Sequence, residues 1–349
     1  MAEEQNTAAF ELSIGSSSFT QAEGGGLQSL VYEDHVDMVS MVRASFAVEA
    51  DGSGWGFTIG DAVTLCLGPD TTSVFEGEVV AMQINADTSG TTHVVVRALD
   101  GLHKLARGRT SRSWTDATDS SVVEELAEEA GFSAESWDIE ATSATHSFIM
   151  QRNESNAAIC KRLAARNSYL LRVVDGVLHF KPPDYDASNA AELGWGSNVK
   201  SVSCTYDSTD QVQEVVVRGW SPADKDEVVG TAADDTDVET IGSGDTGPTV
   251  AGAFGSFTGY IADVPVTDQD VADEIAAAEL NRLARQFGRG TVRVGCNAST
   301  LAGTMINLSG CPGPVNGTWY VLGSRHSMGP KGTQDSELSV CRNTLGTDP

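Results

Sequence analysis

For most of the chain, apolar side chains recur at every second residue, the period of a strand with one buried face. Phe10, Leu12 and Ile14 begin the pattern, Phe46 and Val48 continue it, and runs at 61–67, 77–85 and 92–99 complete a first block. Gly- and Asp-rich breaks fall at 51–54, 68–70 and 87–90. Short strands at this spacing predict a small barrel or sandwich. Alternation returns at 201–206, 211–220, 291–296, 304–308, 318–326 and 336–342. Val292, Val294 and Cys296 then share one face, as do Thr304, Ile306 and Leu308, and Leu338 with Val340. Gly-Pro-rich turns at 310–314 and Asn316-Gly317 separate the last strands.

Elsewhere the period becomes helical. Residues 121–130 read as a helix, with Ser121 and Glu124 as a capping box and Gly131 as its stop. A second helix is expected at 156–167, followed by a hairpin at 169–181 around Asp175-Gly176. A third, 267–287, has Thr267 as N-cap and Gly288 as stop. The order of element types therefore divides the chain into a β region at 1–100, an inserted α+β region at 101–186 and a second β region at 187–349. The expected fold class is mainly β with an α+β insertion. Residues 221–265, rich in Asp, Gly, Thr and Ser, are expected to form a long variable loop.

On the helical wheel of 267–287, Ala276, Leu280, Leu283 and Phe287 form a stripe that should face the chain's own sheet. Val271 and Ile275 rotate away from it. A helix apolar on two sides usually buries both, so Val271 and Ile275 are candidate subunit-interface residues.

Charge narrows the choice of partners. With 49 acidic against 22 basic residues, the 349-residue chain carries a formal charge of -27. Stable nucleic-acid binding and attraction to anionic membranes are not expected of such a surface. Lysines are few, and an acidic, Lys-poor surface is one that high salt tolerates, which suggests a halophilic source. The start of the chain has no apolar signal segment, and no run of about 18 apolar residues exists, so neither signal-directed export nor membrane insertion is expected. The six cysteines form no CxxC pair and read as buried apolar residues.

Catalytic signatures do not emerge. The six histidines are scattered, with no HExxH and no Cys/His cluster, and neither GxSxG nor a phosphate-binding loop occurs. The acidic run 234–239 lacks the glycine placement of an EF-hand loop. No catalytic residue, metal or cofactor is expected, and the chain reads as a non-enzyme. Arg107, Arg109 and Arg112 form a basic cluster beside Trp114 and are further candidates for contact with a neighbouring subunit.

Five phrases in order carry a resemblance. IGDAV at 59–63 is followed by FEGEV at 75–79, QRNESN stands at 151–156, QVQEVVVRGWSP at 211–222, and GTWYVLGSRHSM at 317–328. In this order the chain resembles the phage late control D family of contractile-tail hub proteins and the hub portion of type VI secretion spike proteins. The resemblance implies two tube-like β-barrel modules flanking the inserted domain. It implies a structural baseplate hub of a phage tail or tail-like injection system: a homotrimer ringing a central channel, joining the tail tube protein to a spike and touching other baseplate proteins. Because the resembled spike proteins continue beyond the point where this sequence stops, the spike is expected to be a separate protein. Assembly in the cytoplasm and a final place in a virion baseplate or extracellular injection particle are implied too. The other reading is a host-surface or glycan-binding β protein, such as a receptor-binding tail component or adhesin.

Overall fold

The central feature of the computed structural model is a 13-stranded sheet. It runs Val199–Tyr206, Gly288–Val294, Gln334–Arg342, Gly317–Met328, Leu27–His35, Met41–Glu49, Thr91–Asp100, Thr72–Ala86, Ala62–Leu67, Phe10–Ile14, Ser17–Thr20. Met305–Ser309 also pairs with Gly317–Met328, and Ala191–Gly194 adds to it in parallel. The structure describes residues 10–21, 26–49, 56–68, 72–86, 90–222, 224–264, 266–329 and 334–346. The breaks expected at 51–54, 69–70 and 87–89, and the start at 1–9, lie outside the described residues.

The chain is mainly β, as the alternation predicts, with the mixed region inserted between its β parts. The two β regions are not separate sheets, however. Leu27–His35, which the apolar alternation does not single out, pairs antiparallel with Gly317–Met328 from Gly323↔His35 to Met328↔Leu30. Its buried positions run Leu30, Tyr32, Asp34, so a polar residue interrupts the apolar series where the strand meets its distant partner.

The sheet also curls. Tyr32 lies three strands from Val74 along the ladder and is level with Val79, so the two would be more than about 14 Å apart if the sheet were flat. Its hydroxyl nevertheless donates to the Val74 carbonyl at 2.9 Å, across the interior. That interior is filled by Leu12, Ile14, Phe46, Leu65, Phe75 and Val94, all essentially inaccessible to water. Burial of side chains this size contributes roughly 1.5–3 kcal/mol each.

Between the β regions, helices Asp119–Glu129 and Asn156–Arg166 pack on the hairpin Leu170–Val174/Val177–Lys181 around Val123, Leu126, Ile159, Leu163 and Phe180. The hairpin turns as its sequence requires, with Asp175 and Gly176 both at positive φ. The first helix starts earlier than expected. Thr118, not Ser121, is the N-cap, and its Oγ1 accepts from the Ser121 amide at 3.2 Å. Ser121 is thereby the residue that receives the cap.

Residues 221–265 differ most from expectation. Asp226–Ala233 is a strand paired along its whole length with Glu214–Ser221, and Thr258–Ile261 pairs in parallel on the other side. Helix Gln269–Ala284 covers one face of this three-stranded sheet through Val215, Val217, Val228, Ala272, Ala276 and Leu280. Its cap is Asp268, whose carboxylate accepts from the Asp270 amide at 3.0 Å, one residue beyond the expected Thr267. The strand Asp226–Ala233 escaped notice because its inward side chains are small. A Cβ on Gly230 would lie 2.2 Å from the Ala272 carbonyl carbon, so the helix backbone sits directly on the strand.

Candidate assembly interface

The basic cluster is organised by pairing of Thr110–Trp114 with Ile149–Glu154, which sets Arg112 opposite Gln151. Arg112 donates twice to Glu129, at 2.6 and 2.7 Å, and through Nε to buried Gln151 Oε1 at 3.0 Å. Its guanidinium also lies 5.1 Å from the Trp114 ring centre. Hydrogen bonding from Arg112 holds the Glu129 carboxyl below its usual range. Arg112 is thus turned inward, and the phrase at 151–156 serves it: Gln151 also donates to Asn156 Oδ1 at 3.0 Å, and Ser155 caps the next helix.

Arg107 and Arg109 are exposed. Arg107 Nε donates to His103 Nδ1 at 3.2 Å and Arg109 reaches the Asn153 carbonyl at 3.4 Å, but neither forms an ion pair with a described residue. With Gly108, Thr110, Arg112, Glu129 and Asn156 they line an open depression of about 320 Å³. Of the sequence-predicted interface residues, these three arginines come together and Val271 and Ile275 lie elsewhere. Both of the latter are partly buried against the cluster of Val215, Val217 and Leu280, so the helix's second apolar side is in part covered within the chain.

Sequence reasoning did not find a polar chain inside the seam between the β regions. Asp34 accepts from the Ser324 hydroxyl, from the Ser324 amide at 3.2 Å and from the Ala302 amide at 2.8 Å. Ser324 Oγ meets His326 Nε2 at 2.7 Å, and His326 Nδ1 meets Ser336 Oγ at 2.6 Å. Since the hydroxyl proton of Ser324 goes to Asp34, Nε2 must carry the imidazole proton and Nδ1 accepts from Ser336. Burial drives the His326 pKa down to about 4, against an opposing pull from Asp34, and so keeps the ring neutral. Aspartate, serine and histidine meet here, but all are buried and Tyr32 stacks on the ring, leaving a substrate no approach. The available signal was the polar residue at the inward position of Leu30, Tyr32, Asp34.

The opposite, solvent face of the same strands carries charges of alternating sign. Arg293, Glu337, Arg325 and Glu33 sit in register across consecutive strands, with ion pairs of 3.0 Å between Arg293 and Glu337 and 3.2 Å between Arg325 and Glu33. No described helix is long and apolar enough to cross a membrane.

The family model described as the Alg8 N-terminal domain matches residues 52–329. No curated protein matches the chain in sequence. Among solved structures, the 43 kDa tail protein of prophage MuSo2 from Shewanella oneidensis is similar at a TM-score of 0.71 and 13% identity, over 96% of this chain and 98% of that one. A tail protein from Neisseria meningitidis gives 0.69 and 12%, over 97% of each chain. A component of the E. coli type VI secretion system, described as structurally similar to the T4 bacteriophage tail proteins gp27 and gp5, gives 0.62 and 10%, over 93% of this chain and 76% of that one. At these identities the likeness is one of fold.

Proposed function

We propose that this chain, which belongs to the Alg8 N-terminal domain family, is a structural component of a contractile phage tail or tail-like injection apparatus: its baseplate hub. The observation that carries the reading is likeness of fold over nearly the full length of two tail proteins, one of them from a prophage. The continuous sheet suits the role, since its ladder bonds join the two β regions into one wall. In this reading three copies form a ring in the late control D manner, which joins the tail tube to a spike, contacts other baseplate proteins and surrounds a channel. The chain acts without catalysis, in keeping with the closed surroundings of its Asp34–Ser324–His326 group. Assembly precedes delivery to a virion or extracellular particle.

Native mass measurement and electron microscopy of the purified chain test this reading. Three chains in a ring with a central opening are expected. A monomer at every concentration and salt tried, or a closed globule without an opening, overturns it. Replacing Val271 and Ile275 by Asp is not a clean test of assembly, because both side chains pack within the protomer and their loss would loosen the helix itself.

One observation favours the surface-binding reading. Register places Trp220 and Tyr260 on the same outward face of the sheet formed by Glu214–Ser221 and its neighbours, and both are more than half exposed. Aromatic faces of this kind can stack on a ligand. Selective retention on a glycan array, lost in a Trp220→Ala variant, would support that reading.

A further inference from the structure

On the solvent face of the large sheet, Arg43 lies directly opposite Arg97 across the antiparallel pair Met41–Glu49 and Thr91–Asp100. Both are exposed, on the side away from buried Val42, Ala44, Val96 and Ala98. Directly opposed residues have Cβ atoms about 4.5–5.5 Å apart, and like charges so placed destabilise the pair. On the strand next to Arg43 the same face pairs Glu33 with Arg325, and further along it pairs Glu337 with Arg293. Neither Arg43 nor Arg97 has a hydrogen-bond or ion-pair partner among the described residues. The nearest carboxylates on this face, Glu33 and Glu78, are already taken by Arg325 and Lys104, so in a chain with a formal charge of -27 the two adjacent arginines call for an anionic partner from outside.

The chain carries a counterpart of opposite sign. Glu124 and Glu128 stand on the exposed side of helix Asp119–Glu129, opposite the face that buries Val123 and Ala127. They are four residues apart, which puts their Cβ atoms about 5–6 Å from each other and makes them mutually repulsive. Neither side chain has a partner among the described residues. Their neighbours Glu125 and Glu129, by contrast, are engaged by Trp114 and Arg112. Two like-charged pairs, opposite in sign and matched in spacing, are each unfavourable alone and complementary together.

We propose that Arg43 and Arg97 of one copy of this chain receive Glu124 and Glu128 of the next. The contact joins two different surfaces, so it is head-to-tail and closes into a ring under cyclic symmetry. Guanidinium and carboxylate pair in a planar, two-bonded geometry that fixes orientation as well as attraction. Duplex DNA is the other anion that two arginines could touch, but the chain's formal charge of -27 repels its phosphates. The proposal rests on the ring-forming reading above and gives that ring a specific contact.

The test is sedimentation velocity with native mass measurement on the full chain at low and high salt, circular dichroism serving to verify folding. The double variant R43E/R97E is expected to self-associate about 100-fold more weakly than the parent, since it sets four carboxylates against one another. Adding E124R and E128R to that variant restores opposite charges and is expected to restore the oligomer. An oligomer unchanged in R43E/R97E overturns the proposal while leaving the ring intact. So does a folded, dissociated double variant that the second pair of changes fails to rescue. A parent chain that never self-associates overturns both this contact and the ring. Duplex DNA binding abolished by R43E/R97E would overturn the proposal in favour of a phosphate ligand.

Discussion

Asp34 and Ser324 stand 290 residues apart in the chain and are hydrogen-bonded through both the backbone amide and the hydroxyl of Ser324. The bonds cross the strand pair that unites the two β regions. Asp34 also holds the Ala302 amide, so a single carboxylate ties three points of the seam.

Asp34→Ala removes the acceptor for all three donors in a dry setting. A buried donor left without a partner costs about 1–3 kcal/mol. We expect Asp34→Ala to lose at least that much stability, and Ser324→Ala, which removes one hydroxyl and leaves the amide bonds, to lose less. Urea unfolding of the two variants beside the parent checks the order.

His326 makes stability depend on pH. The unfolded chain takes up a proton near the ordinary imidazole value of 6.5, whereas the folded chain refuses it until about 4. The unfolded state therefore binds more protons in that window, and the His326 contribution to stability falls as pH drops from 6.5 to 4, by on the order of 3 kcal/mol. Asp100 acts in the opposite direction. Burial raises its pKa to about 6, so the folded state binds that proton first and gains stability as pH falls through 6. The difference between the parent and His326→Gln, measured by chemical unfolding from pH 7 to pH 4, isolates the histidine. The parent should lose more stability than the variant.

Asp119, almost wholly buried at the start of its helix, is held by Arg166 and by Asn167 Nδ2 at 2.7 Å, with His146 close by. Removing one partner of a buried ion pair strands the other charge, a change that costs about 3–5 kcal/mol. Arg166→Met should approach the lower end of that range, because Arg166 is partly exposed and Asn167 remains. Adding Asp119→Asn to Arg166→Met should recover part of the loss. Thermal unfolding of the single and double variants measures both.

Gly230 has no room for a side chain beneath Ala272. Gly230→Val should push helix Gln269–Ala284 off its sheet and cost about 1–3 kcal/mol or more. Faster amide hydrogen exchange in that helix and in Glu214–Ser221, with the Asp119–Glu129 region unchanged, is the expected signature.

Elements whose cause is local were legible in the sequence. Alternation with a period of two gave the strands because each needs only one apolar face, and it held from Phe10–Ile14 to Gln334–Arg342. The Asp175-Gly176 hairpin followed from two residues that tolerate positive φ, and helix Asn156–Arg166 lies where a helix was expected at 156–167. Helix ends were less legible, since Thr118 and Asp268 took the caps expected of neighbouring residues. Of the candidate interface, the arginine cluster was visible as sequence-adjacent charge, but its division into one inward arginine and two outward ones depended on Gln151 and Glu129.

Tertiary structure alone decided what depends on distant partners. Leu27–His35 is a seam strand only because Gly317–Met328 supplies Ser324 and His326 for its inward Asp34. Read singly, those polar residues interrupt an apolar pattern; paired, they satisfy one another away from water. Asp226–Ala233 looked like loop because Gly230 and Ala232 carry no apolar signal, and only the approach of Ala272 makes their smallness a requirement. Arg43 and Arg97 are 54 positions apart by number, and nothing in the sequence sets them face to face. Register does that, because it is fixed by the whole ladder and its buried face rather than by the residues that end up opposed.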